Sequence, residues 1–348
     1  MKKSTKKNIV MISLVTVLAY IPLGAQTTPP ASEQLEAARG YSELYGGQAM
    51  LVMWDGRIVF ESYGNGGGKD RPQVLRSGTK SFVGVVAVAA VQDGLIQLDD
   101  RVCESLTEWK NDPVKSQITY RQLLTMTSGL TPGERGSAIR SPGWKEIIAK
   151  PMTGKPGEQF QYGAYHLCAF AEALKRLLKG ETFEKYLERR ILQPLGIKLK
   201  WRIRCGDGNP QVGGGGAMTA RDWAAFGEFM RQGGTWKGRQ IIRKELLAEC
   251  LQGTKQNPAY GLTWWLKKPV PDSIIRQIPI LQHEMGEIVG ADWIPDDLFM
   301  AAGAGKQRLY VIPSLKLVIV RQGEFLSSRS FSDTKFLQLL LCGKQEIR

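Results

Sequence analysis

The chain has 348 residues, 43% of them hydrophobic, and a formal net charge of +14. That much apolar material excludes a disordered or low-complexity chain and suffices for one large core or two linked lobes. The positive residues are scattered and interleaved with acids, as in "ALKRLLKG" and "EKYLERRILQ", which argues for a solvated face and against a nucleic-acid-binding stripe.

Residues 1–25 open on the basic "MKKSTKKN", continue through the apolar "IVMISLVTVLAY" and end in "IPLGA". The pattern predicts a secretory signal peptide cleaved near Ala25, and hence a periplasmic or extracellular protein. The largely apolar run of about twelve residues before Pro22 falls short of the roughly 20 that a spanning helix needs, so no stable membrane span is expected after cleavage. Loss of the segment's four lysines lowers the charge from +14 to +10.

Next comes a short helical segment, "SEQLEAARGYSELY". The stretch "QAMLVMWDGRIVFESYG" then gives two β-rich runs joined by Asp55-Gly56, a hairpin signal. From Thr79 to about Phe229 helical periods dominate. They include the apolar run Phe82–Val91, "ITYRQLLTMTSG", "GAYHLCAFAEALKRLLKG" and "ETFEKYLERRIL"; "MTARDWAAFGEFMRQGG" follows the glycine run "VGGGG". Strands return in "YGLTWWL", "KQRLYVI" and "KLVIVRQG", and the chain closes on the helix-like "FSDTKFLQLLL". The expected architecture is α+β: an antiparallel sheet flanked by terminal helices, with a helical lobe inserted. The sheet lobe is expected from about residues 26–75 and 255–348, the helical lobe from about 76–254, and the whole of 26–348 as one catalytic domain.

Five widely spaced cysteines without a C-x-x-C pair argue against a zinc site or a disulfide scaffold. Two histidines, His166 and His283, leave little material for a Ser-His-Asp triad and read as structural. Ser77 and Lys80, in "LRSGTKSFVGVVAVAAVQDG", offer an alternative. Three residues apart at a helix start, their side chains meet. The helix N-terminus favours an alkoxide and disfavours a protonated amine, and a desolvated lysine takes the hydroxyl proton. Ser-x-x-Lys alone also fits a cap and a snorkelling surface lysine, and only its surroundings choose between the two.

Those surroundings resemble the β-lactamase-related serine hydrolases, the group holding class C β-lactamases, D-alanyl-D-alanine carboxypeptidases, related esterases and amide hydrolases. The likeness rests on "SGTKSFVGVVAVAAVQDGLIQLDDRV", "ITYRQLLTMTSGL", "KPGEQFQYGAYHL", "GGGGAMTARDWAAFGEFM", "YGLTWWL" and "GAGKQRLYVIPSLKLVIV". It implies the β-lactamase/transpeptidase-like fold, Ser77 as acylated nucleophile, Lys80 as its proton partner and no metal or organic cofactor. Tyr162 matches the tyrosine of the family's Tyr-x-Asn motif, its phenol expected to be lowered by the charge of Lys80. Ala301-Ala302-Gly303 matches the third motif, usually Lys-Thr-Gly or His-x-Gly, and the N–H groups of Ala304 and Ser77 are expected to form an oxyanion hole. Ala164 stands where the second motif carries Asn, and Ala301 where the third carries a cation, so both usual substrate handles are absent.

The expected substrate is therefore a small ester, amide or peptide, with an esterase or amidase favoured over a penicillin hydrolase. A true β-lactamase or D,D-carboxypeptidase and a non-catalytic envelope-binding protein remain the alternatives. Trp144, Trp264, Trp265 and Trp293 are left outside the expected site, since alternation sends Trp264 and Trp265 to opposite faces.

Overall fold

The computed structural model describes residues 28–133 and 141–343. The signal peptide expected over residues 1–25 lies outside them. The core of the fold is one antiparallel sheet whose strands are β1 Gly47–Trp54, β2 Arg57–Tyr63, β3 Trp265–Leu266, β4 Phe299–Gly303, β5 Gln307–Ile312 and β6 Leu317–Gly323. Their spatial order is β2-β1-β6-β5-β4-β3, so strands from the two ends of the chain meet where β1 pairs with β6. The β1–β2 turn holds Asp55 and Gly56 at φ 47° and 79°. Two successive left-handed residues match the right-handed twist of the flanking strands, which is why Asp-Gly suits this turn.

Helix α1, Ser32–Leu44, precedes the sheet; α2, Lys80–Gln92, α3, Tyr165–Leu177, and α4, Ala220–Arg231, lie between its halves; α5 is Pro279–Val289 and α6 Asp333–Leu341. α4 packs on one sheet face, with Gly227 lying against Leu309 of β5 and Val318 of β6. α1 and α6 pack together on the other. That second face also carries charge: the register pairs Arg308 with Arg321, and both are fully buried. Arg308 binds Asp333, at the start of α6, at 2.6 Å, and the Arg321 guanidinium donates to Ser42 Oγ and to the Tyr45 carbonyl at the end of α1. Buried charges persist only when paired and hydrogen-bonded, so these two arginines pin both terminal helices to the sheet.

α2 is apolar all round and buried from Lys80 through Ala90, as expected of a helix enclosed on every side. Phe82 stacks on Phe226 of α4 with ring centroids 4.0 Å apart, fixing the start of α2 against the sheet-covering helix.

Several features differ from the sequence expectation. The segment "ITYRQLLTMTSG" is helical only over Tyr120–Leu124, because Met126 takes a left-handed φ of 58°. The helix in "ETFEKYLERRIL" widens into a π-turn over Glu188–Leu192. A small second sheet, Gln73–Val74, Gly216–Met218 and Lys200–Trp201, sits beside the start of α2. α5 and the short Asp272–Gln277 helix interrupt the C-terminal strands. Among the described residues no helix is long and apolar enough to cross a membrane, and all five cysteines are free thiols.

Candidate active site

Ser77 belongs to a tight 3-10 turn, Arg76–Thr79, that runs directly into α2 at Lys80. The Lys80 Nζ donates to Ser77 Oγ at 3.0 Å and to the Gly213 carbonyl at 2.6 Å. Lys80 is 4% exposed, and burial pulls its amine down to about 7, against a smaller upward pull from Cys168 and Glu284. Burial wins because no carboxylate forms an ion pair with this ammonium among the described residues.

Tyr162 stands in the loop before α3, its ring centroid 4.9 Å from Lys80 Nζ. The loop is held by the Gln161 N–H donating to the Met126 carbonyl at 2.9 Å and by His166. His166 Nε2 donates to the Gln161 carbonyl at 2.7 Å, and Nδ1 accepts from Ser128 at 2.8 Å. Burial takes His166 down to about 4, so it is neutral at pH 7, consistent with that tautomer. The histidine holds the tyrosine loop through its two hydrogen bonds.

The phenol of Tyr162 departs from expectation. Burial pushes it up, and the hydrogen bond with Ser77 only partly opposes this. The expected lowering by Lys80 fails on two counts: the amine is itself desolvated, and an aromatic wall shields the phenol. Tyr162 lies 5.5 Å from Trp265 and 5.9 Å from Tyr260 between ring centroids, and Phe160 lies 5.2 Å from Tyr260. Trp265, left out of the expected site, therefore walls it, whereas Trp264 faces away and stacks on Phe226.

Gly303, the end of β4, is where the strand meets the turn that carries Ser77. A Cβ there would lie 2.1 Å from the Leu75 carbonyl and 3.2 Å from Arg76 Cβ, so only glycine admits the Ser77 turn. Ala304 follows, exposed. Ala301 is 2% exposed and opposite Leu309, on the face covered by α4. Its side chain is in the core, which corrects its place among the substrate-contacting residues. Ala164 is partly exposed at the start of α3, and Gly213 packs against it closely enough that a Cβ on Gly213 would be 2.5 Å from Ala164 Cβ. The Gly213 carbonyl thus meets Lys80 beside the position where the resembling motif carries an asparagine. Sequence reasoning did not assign Gly213 this role; the signal was "VGGGG", since glycine runs mark close backbone approach.

Comparison with known proteins agrees with this fold. The Beta-lactamase family profile matches residues 33–322. An uncharacterized protein of Alkalihalophilus pseudofirmus is 25% identical over 303 residues, covering 79% of this chain and 83% of that one. The lovastatin esterase of Penicillium rubens is 26% identical over 201 residues, covering 44% of this chain and 49% of the esterase. The chain thus aligns with about half of that esterase's length. A crystal structure of a putative beta-lactamase from Bacteroides dorei superposes with a TM-score of 0.70 at 18% identity, over 90% of this chain and 99% of that one. A family match over most of the chain, together with the β-lactamase-like fold, places this protein in the Beta-lactamase family as a serine hydrolase.

Proposed function

We propose that this enzyme cleaves esters, or amides with comparable leaving groups, through an acyl-Ser77 intermediate. The observation that carries the reading is the Lys80 amine, 3.0 Å from Ser77 Oγ and brought down to about 7 by burial. At neutral pH about half of such amines are free to take the serine proton. As Ser77 Oγ attacks the substrate carbonyl, its proton passes to Lys80 Nζ, and the N–H groups of Ser77 and Ala304 hold the oxyanion. The Tyr162 phenol, held protonated, suits the acid role: it gives its proton to the departing oxygen or nitrogen and regains one from Lys80. Water then attacks the acyl-enzyme by the same path in reverse, releasing the acid and Ser77.

Substrate choice follows from the missing handles. A β-lactam or D-Ala-D-Ala peptide presents an amide and a carboxylate, and burying either without a partner costs roughly 1–3 kcal/mol. Ala164 and the core-facing Ala301 supply neither partner, whereas a simple ester asks less of both positions. The lovastatin esterase among the relatives supports the same direction. The N-terminal segment adds the proposal that the enzyme acts outside the cytoplasm, with mature protein beginning near Gln26 on N-terminal sequencing.

The test is a fluorophosphonate label located by mass spectrometry, with kcat/KM on short-chain esters and on penicillins. Label on Ser77, ester rates above penicillin rates, and loss of both label and turnover in a folded Ser77→Ala variant are expected. Substantial turnover by Ser77→Ala overturns the nucleophile; faster penicillin hydrolysis overturns the substrate class.

A further inference from the structure

Two cysteines that the acylation chemistry leaves unused meet across the junction between α3 and the loop that ends on Gly213. Cys168 lies on α3, one turn after Ala164, and Cys205 lies in the loop that leads back to Gly213. That loop runs along the helix. Toward the helix end Lys175 Nζ donates to Asn209 Oδ1 at 3.3 Å, and at the helix start a Cβ on Gly213 would lie 2.5 Å from Ala164 Cβ. On the loop side the Cys205 N–H donates to the Asn209 carbonyl at 2.8 Å and the Gly206 N–H to the Ser141 carbonyl at 2.9 Å, which fixes the backbone around Cys205.

The thiols of Cys168 and Cys205 hydrogen-bond to each other, and this bond together with burial holds the Cys168 thiol well above its ordinary value. Cys168 is fully buried, and Cys205 is 5% exposed. The other three cysteines are placed differently. Cys103 turns to the Ser116 carbonyl at 3.5 Å, and the Cys250 and Cys342 thiols are raised by burial, so among the described residues none of the three has a thiol partner. A buried thiol packed alone is inert, whereas two thiols in contact need only a rotation of their side chains to form an S–S bond.

We propose that Cys168 and Cys205 form a redox site, oxidised by a small-molecule disulfide to an intramolecular disulfide that staples the Gly213 loop to α3. The more exposed Cys205, as thiolate, attacks one sulfur of the small disulfide and expels a thiolate. Cys168 then gives up its proton and attacks the Cys205 sulfur of the mixed disulfide, expelling the second half. Two protein S–H bonds and one small S–S bond are lost, one protein S–S bond is gained, and the oxidant leaves reduced, as two thiols. Neither cysteine takes part in the acyl-serine chemistry, but the stapled segment carries the Gly213 carbonyl that accepts from Lys80 at 2.6 Å. The proposed export brings the chain to the kind of compartment in which such bonds form and persist. The bond closes a loop of about 40 residues and so restricts the unfolded chain.

The probe is 2-hydroxyethyl disulfide, added in excess to the fully reduced protein. Free thiols are then alkylated in denaturant and counted by intact mass, the bond is mapped on unreduced tryptic peptides, and melting is followed by circular dichroism. Two of the five thiols should disappear, the linked peptides should be those of Cys168 and Cys205, and the melting temperature should rise by about 5 °C or more, all reversed by dithiothreitol. Cys205→Ser and Cys168→Ala should each abolish the bond and the rise, while Cys103→Ser keeps both. Retention of all five thiols, a lasting mixed disulfide on Cys205, or a bond to another cysteine overturns the redox site. A melting temperature unchanged or lowered with the Cys168–Cys205 bond in place overturns the staple. None of these outcomes bears on Ser77, whose label and turnover are read separately.

Discussion

Burial of a single amine underlies the chemistry proposed for this site. Lys80 has two acceptors, Ser77 Oγ and the Gly213 carbonyl, neither of which repays the desolvation of an ammonium as a carboxylate would. Its conjugate base is therefore accessible near neutrality, while the raised Tyr162 phenol stays protonated. The two shifts run in opposite directions, which in the proposed mechanism separates the roles of base and acid. The sign of the pH dependence follows: kcat/KM rises with pH through an inflection near 7 as Lys80 loses its proton, and falls below it. Lys80→Arg keeps the charge, cannot act as base, and should lower kcat by about a thousandfold or more. A stopped-rate ester assay from pH 5 to 9 checks both; a flat profile in the unaltered enzyme would assign the base elsewhere.

At the scale of elements, the cleft is a junction between one turn and one strand end. The turn Arg76–Thr79 brings Ser77, the start of α2 brings Lys80, the end of β4 brings Gly303 with Ala304 just beyond it, and the loop before α3 brings Tyr162. Gly303 is the contact point, since any Cβ there would meet the Leu75 carbonyl at 2.1 Å. Gly303→Ala must push β4 away from the Ser77 turn. A displacement of about 1 Å at a catalytic constellation costs about a hundredfold in rate, while overpacking costs about 1–3 kcal/mol of stability. The variant should thus remain folded by circular dichroism and lose about a hundredfold in kcat. Wild-type turnover in Gly303→Ala would show that the strand end does not help form the cleft.

Across the whole molecule, the sheet closes only when the two ends of the chain meet, and buried charge secures that closure. Burial alone raises the Asp333 carboxyl, but Arg308 and Lys306 outweigh it and hold it well below the usual carboxylate range. Asp333→Ala leaves Arg308, fully buried, with Glu284 as its remaining acidic partner. Breaking a buried pair from one side costs about 3–5 kcal/mol, so the urea midpoint should fall sharply. The pairing contributes stability above the carboxyl's unfolded value of about 4, and that contribution is lost as pH falls below it. Equal urea midpoints for Asp333→Ala and the unaltered protein at pH 7 would show that the network carries no net stability.

Local pattern in the sequence was enough for the hairpin at Asp55-Gly56, the buried α2, and the meeting of Ser77 with Lys80, because each depends on residues within a few positions of one another. The family resemblance brought Tyr162 and Gly303 to the same place. What the chain alone did not disclose depends on contacts between distant segments. The Gly213 carbonyl reaches Lys80 across 133 positions, and Asp333 reaches Arg308 across 25. The direction of the Tyr162 shift required the wall of Trp265 and Tyr260, and the core position of Ala301 required its register with Leu309. Electrostatic character is set by what surrounds a group in three dimensions. Sequence determined which groups were present and which neighbours along the chain they met; only the tertiary structure decided which were desolvated, and so which carry protons at neutral pH.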